Sequence, residues 1–297
     1  MKSKLRKIKP LILFAIIFVT IAFYSVDTKV EVVDLQCEYL ENPLGIDIKS
    51  PRLSWKLKTE ENSVMQKAYR ILVSSNRENL KNNIGDIWDT DTVFSDNSTQ
   101  IVYSGSELIS RQKAFWKIKI WDQNNVASSW SKVSTWEMAL LNKSDWKAVW
   151  IGKEESQISE VGQKNPAMYF RKKISIKNKF KQARTYISGL GYYELYINGK
   201  KVGDHVLAPN QTNYDRMQVN SFENGKVANM STRILYETHD ISSYLQQGDN
   251  VISVILGNGW YYRTERDEYL PLYYDLSRFI AQIEIENFDG SKENAGV

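Results

Sequence analysis

The sequence predicts an all-β protein in which two β-sandwich domains follow an N-terminal signal or anchor segment. Apolar and polar residues alternate in short runs such as Ala114–Trp121 and Phe279–Glu286, which is the pattern of strands with one buried face. Turn sequences separate these runs, and Asn198-Gly199 has the composition of a two-residue hairpin turn. Helical periodicity is almost absent between residues 30 and 141. Together these observations favour sandwiches of antiparallel strands.

Residues 1–27 have the composition of an export signal. Lys2–Lys9 is basic and Leu11–Tyr24 is an uncharged apolar run, which is the order found in secretory signals. Cleavage is poorly specified, because Phe23-Tyr24-Ser25 lacks the small residue preferred three positions before the cut. An uncleaved anchor is therefore the alternative. The segment predicts a bacterial protein exported to the periplasm, the cell surface or the medium, with membrane contact only through these residues.

Composition excludes several classes of function. The 297 residues carry a net charge of +4, and several positive charges lie in the first nine residues. The run Arg171–Lys173 is interpreted as the solvent face of a strand, so no nucleic-acid partner is expected. Cys37 is the single cysteine, which excludes an intrachain disulfide and a cysteine-based zinc site. The sequence contains no Gly-x-Ser-x-Gly nucleophile turn and no glycine-rich phosphate loop.

The first predicted domain spans residues 30–141. Leu53–Leu57 and Tyr69–Val73 alternate, and the strongest run, Ala114–Trp121, ends in the turn cluster Asp122–Asn125. This order of strands resembles a fibronectin type III or immunoglobulin-like module. Its tryptophans are interpreted as core residues, since large rings dominate sandwich cores; they are Trp55, Trp116, Trp121, Trp130 and Trp136.

The second predicted domain spans residues 146–297. Tyr193–Ile197 leads into the Asn198-Gly199 turn, Val251–Leu256 reads as a buried strand, and Asp289-Gly290 marks another hairpin. This arrangement resembles a galactose-binding-like jelly roll. Residues 217–232 are polar and are interpreted as an extra surface loop or hairpin. The domain is expected to be truncated at its C-terminal end.

Two parts of the sequence resemble one enzyme family closely. Gly189–Asp204 with Leu207–Tyr214, and Leu35–Asp47 with Pro51–Trp55, are similar to the N-terminal region of bacterial α-L-rhamnosidases, which are glycoside hydrolases of the family 78 type. The resemblance runs from Val33 to the C-terminus. In that family hydrolysis of terminal α-L-rhamnosides is inverting, and the acid and base carboxylates lie in a later (α/α)6 barrel. No carboxylate here matches them, so the resemblance implies no catalytic residue in this chain and a separately encoded barrel as a candidate partner.

The resemblance also implies carbohydrate binding. Jelly-roll domains of this type bind sugars through loops at one end of the sandwich, in some cases with a calcium ion. The alternative is that Gly257-Asn258-Gly259 only turns the chain and that Trp260 fills the core. No cofactor is required on this interpretation, calcium is the one candidate ion, and the ligand is a rhamnose-containing glycan or another carbohydrate. The candidate residues are Trp260 and Tyr261 as stacking surfaces, with Asn258, Asn210 and Tyr214 as hydrogen-bonding groups.

Three functional hypotheses follow from the sequence. The first is the non-catalytic N-terminal part of an exported α-L-rhamnosidase-like glycoside hydrolase, acting as a scaffold, a carbohydrate-binding region or both. The second is a stand-alone carbohydrate-binding or surface-adhesion protein built from the same modules. The third is a self-contained hydrolase, for which the acidic run Glu265–Glu268 is the best local cluster. That run is interpreted as a solvated loop.

Overall fold

The computed structural model describes residues 30–153, 166–212, 214, 218–220, 227–229, 233–262 and 276–296. This part of the chain is almost entirely β-structure, which confirms the predicted fold class. It forms two compact units. The first contains the chain up to Asn42 together with Ser50–Ser106 and Ala114–Thr135, and the second contains Pro43–Lys49, Glu107–Lys113 and the chain from Trp136 onward.

The described strands range from two to eleven residues in length. In chain order the first nine are β1 (Glu31–Cys37), β2 (Leu44–Ile46), β3 (Arg52–Lys58), β4 (Gln66–Ser74), β5 (Trp88–Asp89), β6 (Val93–Phe94), β7 (Ile101–Val102), β8 (Lys113–Asp122) and β9 (Ser134–Met138). The others are β10 (Ile151–Gly152), β11 (Met168–Ile176), β12 (Phe180–Leu190), β13 (Tyr192–Ile197), β14 (Lys200–Lys201), β15 (Gln218–Asn220), β16 (Val227–Asn229), β17 (Glu237–Asp240), β18 (Gly248–Gly257), β19 (Arg278–Asn287) and β20 (Lys292–Gly296). A single helical turn, α1 (Arg77–Lys81), follows β4, and a 3₁₀ turn occupies Lys143–Asp145.

The first unit contains two antiparallel sheets. One has the order β1-β3-β7, and in the other β4 pairs with β5, β6 and β8. Trp55 and Trp116 are fully buried, as predicted. The indole N–H of Trp55 donates to the Gln66 side chain at 2.9 Å, which satisfies a polar group that burial would otherwise leave unpaired.

Two of the predicted core tryptophans lie at the surface of this unit instead. Trp121 and Trp130 are half-buried. The ammonium group of Lys119 lies 4.9 Å from the Trp121 ring centroid and 5.0 Å from that of Trp130, and Lys117 lies 4.6 Å from Trp130. These rings are covered by cations on the strand, an arrangement that stabilises a partly exposed ring through its quadrupole.

The second unit is a sandwich of two sheets. One has the order β11-β18-β13-β14, and the other has the order β10-β19-β12-β17 with β20 also paired to β19. Strand β2 adds a parallel pairing with the end of β9. Alternate residues of the central strands fill the space between the sheets, as the period of two requires. The core includes Ile187, Leu195, Ile197, Ile252, Val254, Leu256, Phe279 and Ile283.

The predicted Asn198-Gly199 hairpin is confirmed. Both residues have positive φ, 51° and 79°, and Ile197 pairs with Lys200 across the turn. The Asn198 side chain also donates to the Tyr244 carbonyl and accepts the Val251 N–H. It therefore joins the hairpin to β18 as well as supplying the left-handed conformation that this turn needs.

Three regions of the sequence analysis lie wholly or partly outside the described residues. The export segment, residues 1–27, is not described. In the part of the chain that is described, no helix is both long enough and apolar enough to cross a membrane. Within residues 217–232, β15 and β16 pair antiparallel. The acidic run Glu265–Glu268 is not described.

Candidate functional site

The loop that follows β18 is a tight turn placed against the start of β13. The Asn258 carbonyl accepts the Tyr261 N–H at 3.1 Å, and the Asn258 side-chain oxygen accepts the Ser277 hydroxyl at 3.2 Å. Gly259 has a φ of 53°, and a Cβ there would lie 2.8 Å from the Tyr192 ring. Glycine is therefore required by both conformation and space.

This turn leaves one large aromatic residue at the surface. Trp260 is 48% exposed, whereas Tyr262 two residues later is only 6% exposed. The sequence alternative in which Trp260 fills the core therefore does not hold, since Tyr262 is the buried residue of this loop. About half of the Trp260 side chain is therefore accessible to solvent.

Tyr261 and Tyr214 meet although they are far apart in the sequence. Their ring centroids are 5.2 Å apart and the rings are nearly perpendicular, with an interplanar angle of 82°. This edge-to-face geometry is a favourable aromatic contact. The structure thus brings Tyr214 into contact with Tyr261, which lies in the same loop as Trp260.

The two asparagines of the predicted site differ in their surroundings. Asn258 is held inside the turn by the contacts given above, so it shapes the loop. Asn210 is exposed and lies just after Ala208, whose carbonyl accepts the Tyr193 N–H at 2.8 Å. Ring contact therefore groups Tyr214 with Tyr261, whose turn also contains Asn258 and Trp260, whereas no hydrogen bond in the described part of the chain joins Asn210 to them.

A second cluster, which the sequence did not indicate, is centred on Glu237 of β17. One carboxylate oxygen of Glu237 lies 3.0 Å from His205 Nδ1. The other accepts the Tyr193 hydroxyl at 2.7 Å and lies 3.2 Å from His239 Nε2. Both histidines of the chain therefore contact a single carboxylate. No sequence pattern indicated this cluster, because it depends on the spatial arrangement of β13, β17 and the segment around His205.

The electrostatics of Glu237 make it a hydrogen-bond acceptor that stays ionised. Burial alone would raise its pKa, but hydrogen bonds from His239, Tyr193 and His205 outweigh that effect and lower the pKa to about 2. Burial, together with the Glu237 charge, raises the pKa of Tyr193. An ionised carboxylate with its oxygens occupied cannot act as a general acid at neutral pH. The cluster therefore holds the segment that carries His205 against the sheet.

Metal binding finds no support in the described part of the chain. There, no group of three or more His, Cys, Asp or Glu side chains is arranged so that it could hold an ion. Calcium prefers six to eight oxygen ligands, several of them carboxylates. Calcium binding therefore stays a prediction from the family resemblance.

Both parts of the chain match known families. Residues 32–142 match the Rha78A-like, N-terminal immunoglobulin domain, and residues 178–295 match the α-L-rhamnosidase N-terminal domain. The chain contains two domains that are found at the N-terminus of α-L-rhamnosidases. The α-L-rhamnosidase match covers the sandwich that carries the Trp260 loop, and the predicted resemblance is confirmed.

Individual α-L-rhamnosidases agree with this assignment. An α-L-rhamnosidase from Formosa agariphila is 37% identical over 239 residues, covering 74% of this chain and 23% of that protein. The solved structure of α-L-rhamnosidase from Dictyoglumus thermophilum superposes with a TM-score of 0.76 at 41% identity, over 90% of this chain and 29% of that one. The solved structure of the Aspergillus terreus enzyme gives a TM-score of 0.73 at 27% identity, and the match covers 90% of this chain and 28% of that one. The chain spans about a quarter of the length of the curated α-L-rhamnosidases that it matches.

Proposed function

We propose that this chain forms the non-catalytic N-terminal β-domains of an exported α-L-rhamnosidase-like glycoside hydrolase, and that it binds carbohydrate there. The family assignment supports the place of these domains in such an enzyme. The observation that carries the binding role is the half-exposed Trp260 on a loop shaped by Asn258 and Gly259, beside the Tyr214–Tyr261 ring pair. The basic and apolar residues 1–27 support export.

The direction of the shifted pKa values among the described carboxylates is consistent with the non-catalytic assignment. An inverting glycosidase needs one carboxylic acid with a raised pKa and a second carboxylate across the sugar. Every described Asp or Glu whose pKa is clearly shifted has it lowered, because hydrogen bonds or cations hold the ionised form. These residues are Glu38, Asp86, Asp89, Asp145, Glu194, Glu237, Asp240, Asp249, Glu286 and Asp289.

Two measurements on the 297-residue chain test the proposal. Calorimetric titration with L-rhamnose should show binding, and p-nitrophenyl-α-L-rhamnoside should not be hydrolysed. Trp260→Ala should weaken the binding of L-rhamnose at the Trp260 loop about tenfold, which corresponds to roughly 1.4 kcal/mol. Tyr169→Ala is the matched control, since Tyr169 is another exposed aromatic residue, on β11.

The outcomes separate the two parts of the proposal. Turnover of the rhamnoside by the purified chain would contradict the non-catalytic assignment. A well-folded chain that binds neither L-rhamnose nor rhamnose-containing oligosaccharides would contradict the binding role. Cell fractionation checks the export proposal, which predicts the chain outside the cytoplasm.

A further inference from the structure

An open groove lies on the outer face of the sheet that contains β12 and β19. Its lining includes no residue of the Trp260 loop. Its volume is about 520 Å³, within the range of small-molecule sites. Ser188 of β12 and Ile280 of β19, which are paired across the two strands, form its floor. We call it the aromatic groove; it is defined by Trp146, Trp150, Ser188, Ile234, Tyr236 and Ile280.

One wall of the aromatic groove is fixed by a buried glutamine. The side-chain oxygen of Gln282 accepts the backbone N–H groups of Lys147 and Ala148, at 2.6 and 3.2 Å. Its amide nitrogen donates to the Asp145 carbonyl at 3.0 Å. The segment that carries Trp146 and Trp150 is thus anchored to the sheet at two places, so the wall is formed before any ligand arrives.

The opposite wall is fixed by Tyr236. Its hydroxyl accepts the Leu140 N–H at 2.8 Å, and its ring makes an edge contact with Trp146 at 5.2 Å between centroids. Burial raises the pKa of Tyr236 to about 12, so the side chain stays neutral at physiological pH. Tyr236 therefore contributes a rigid, uncharged surface to the aromatic groove.

The lining combines apolar surface with a few polar groups. Trp150 is 37% exposed and Ile234 is 43% exposed, so large apolar side chains face solvent at the rim, a feature that marks interaction sites. The Ser188 hydroxyl donates to the Leu235 carbonyl at 2.6 Å, and its oxygen can still accept a hydrogen bond. Among the described residues that line the aromatic groove, Lys143 is the charged one.

The dimensions favour a small ligand over a protein. The lining presents much less surface than the roughly 800 Å² per partner that a stable protein interface buries. A flat ring with one apolar face fits against Trp150, and hydroxyl groups can reach Ser188 and solvent. The aliphatic side chains Ile234 and Ile280 offer no hydrogen bond, so they suit a methyl group better than a hydroxymethyl group.

We propose that the aromatic groove is a second carbohydrate site and that it takes a neutral 6-deoxyhexose residue. This inference rests on the proposed function, because it assumes that these domains bind glycan. It adds a site that shares no lining residue with the Trp260 loop, and a chemical reason for selecting a deoxy sugar, namely the aliphatic surface next to the exposed indole.

The experiment weakens the Trp260 loop with Trp260→Ala and then tests the aromatic groove with a second substitution in that background. Binding of L-rhamnose to the full chain is followed by calorimetry and by tryptophan fluorescence. L-rhamnose should still bind to Trp260→Ala, and L-mannose, which carries a hydroxyl where L-rhamnose has a methyl hydrogen, should bind about tenfold more weakly. Adding Trp150→Ala should reduce the remaining affinity at least tenfold, whereas adding Tyr169→Ala should leave it unchanged.

Each alternative result has a distinct meaning. If the wild-type chain binds L-rhamnose and Trp260→Ala abolishes that binding, the aromatic groove is not a site and the proposed function stands. If the wild-type chain binds no sugar, both proposals fail. Equal affinity of Trp260→Ala for L-rhamnose and L-mannose would contradict the deoxy-sugar assignment. Unchanged affinity in the Trp150→Ala double variant would contradict the location.

Discussion

The guanidinium of Arg184 and the carboxylate of Glu137 form a two-point ion pair inside the second unit. Arg184 Nε lies 2.8 Å from Glu137 Oε1, and Arg184 Nη2 lies 2.9 Å from Glu137 Oε2. The side chains are only 7% and 4% exposed. Glu137 lies in the segment that matches the immunoglobulin domain and Arg184 in the segment that matches the rhamnosidase N-terminal domain. The pair therefore joins the two family segments within one compact unit.

Removing one partner of this ion pair should destabilise the folded protein. Glu137→Ala leaves a buried guanidinium with Asp240 as its remaining ion-pair partner in the described structure. We expect the free energy of unfolding to fall by about 3 kcal/mol, the lower end for a broken buried pair. Urea denaturation measures this, and Glu107→Ala, which removes the exposed pair with Lys49, should change stability by less than about 1 kcal/mol. Equal effects of the two variants would contradict the prediction.

Glu237 should make stability depend on pH in acid. Its folded-state pKa of about 2 lies below the ordinary value of 4.5, so the unfolded chain takes up the proton first. The resulting stabilisation is present above pH 4.5 and is lost as the pH falls toward 2. Its size is about 3 kcal/mol.

A comparison of two chains isolates this effect, because Asp86 also has a pKa of about 2 and contributes in the same window. Glu237→Gln should be less stable than wild type at pH 6, and the difference should shrink steadily between pH 5 and pH 2. Denaturant unfolding at a series of pH values gives the result. A difference that does not change with pH would show that the Glu237 charge is not the cause.

Two glycines near the candidate sites should respond very differently to alanine. Gly191 has a φ of 118°, and a Cβ there would lie 2.2 Å from the Gly257 carbonyl oxygen. Gly199 has a φ of 79° with no atom within 4 Å of its Cβ position. Gly199→Ala should therefore cost only about 1 kcal/mol of backbone strain. Gly191→Ala should cost more, since β13 and β18 must separate where the Trp260 loop begins, and thermal unfolding should rank the two variants in this order.

Cys37 should be unreactive in the folded protein. It is 1% exposed, and burial followed by the nearby Glu38 charge raises the pKa of its thiol to about 12. Because the thiolate is the reactive form, iodoacetamide at pH 8 should label Cys37 only after unfolding in urea. Mass spectrometry detects the adduct, and rapid labelling of the native chain would contradict the burial.

Local sequence patterns predicted the features that depend on nearby residues. The Asn198-Gly199 hairpin follows from the need for positive φ at two adjacent positions, and the burial of Trp55 follows from alternation along β3. Alternation along Ala114–Trp121 places Trp116 on the buried face and Trp121 on the opposite face with Lys119, so the interpretation of Trp121 as a core residue disagrees with the period of two.

The features missed by the sequence analysis depend on long-range pairing. Tyr214 and Tyr261 meet through their positions in space, and their role was expected only from the family resemblance. Glu237 acquires its partners from β13, from its own strand and from the segment around His205. Trp146 and Trp150 were assigned only to the start of a domain, since nothing in their spacing indicates that Gln282 anchors the segment between them.

The contact of both histidines with Glu237 also gives the protein a built-in spectroscopic reporter. The chain has two imidazole rings, and their centroids lie 6.1 Å apart. Every imidazole resonance in a proton NMR spectrum of this chain therefore comes from one corner of the second unit. One proton spectrum therefore observes both sides of the same carboxylate, and release of the segment that carries His205 would register in two signals without any isotope labelling.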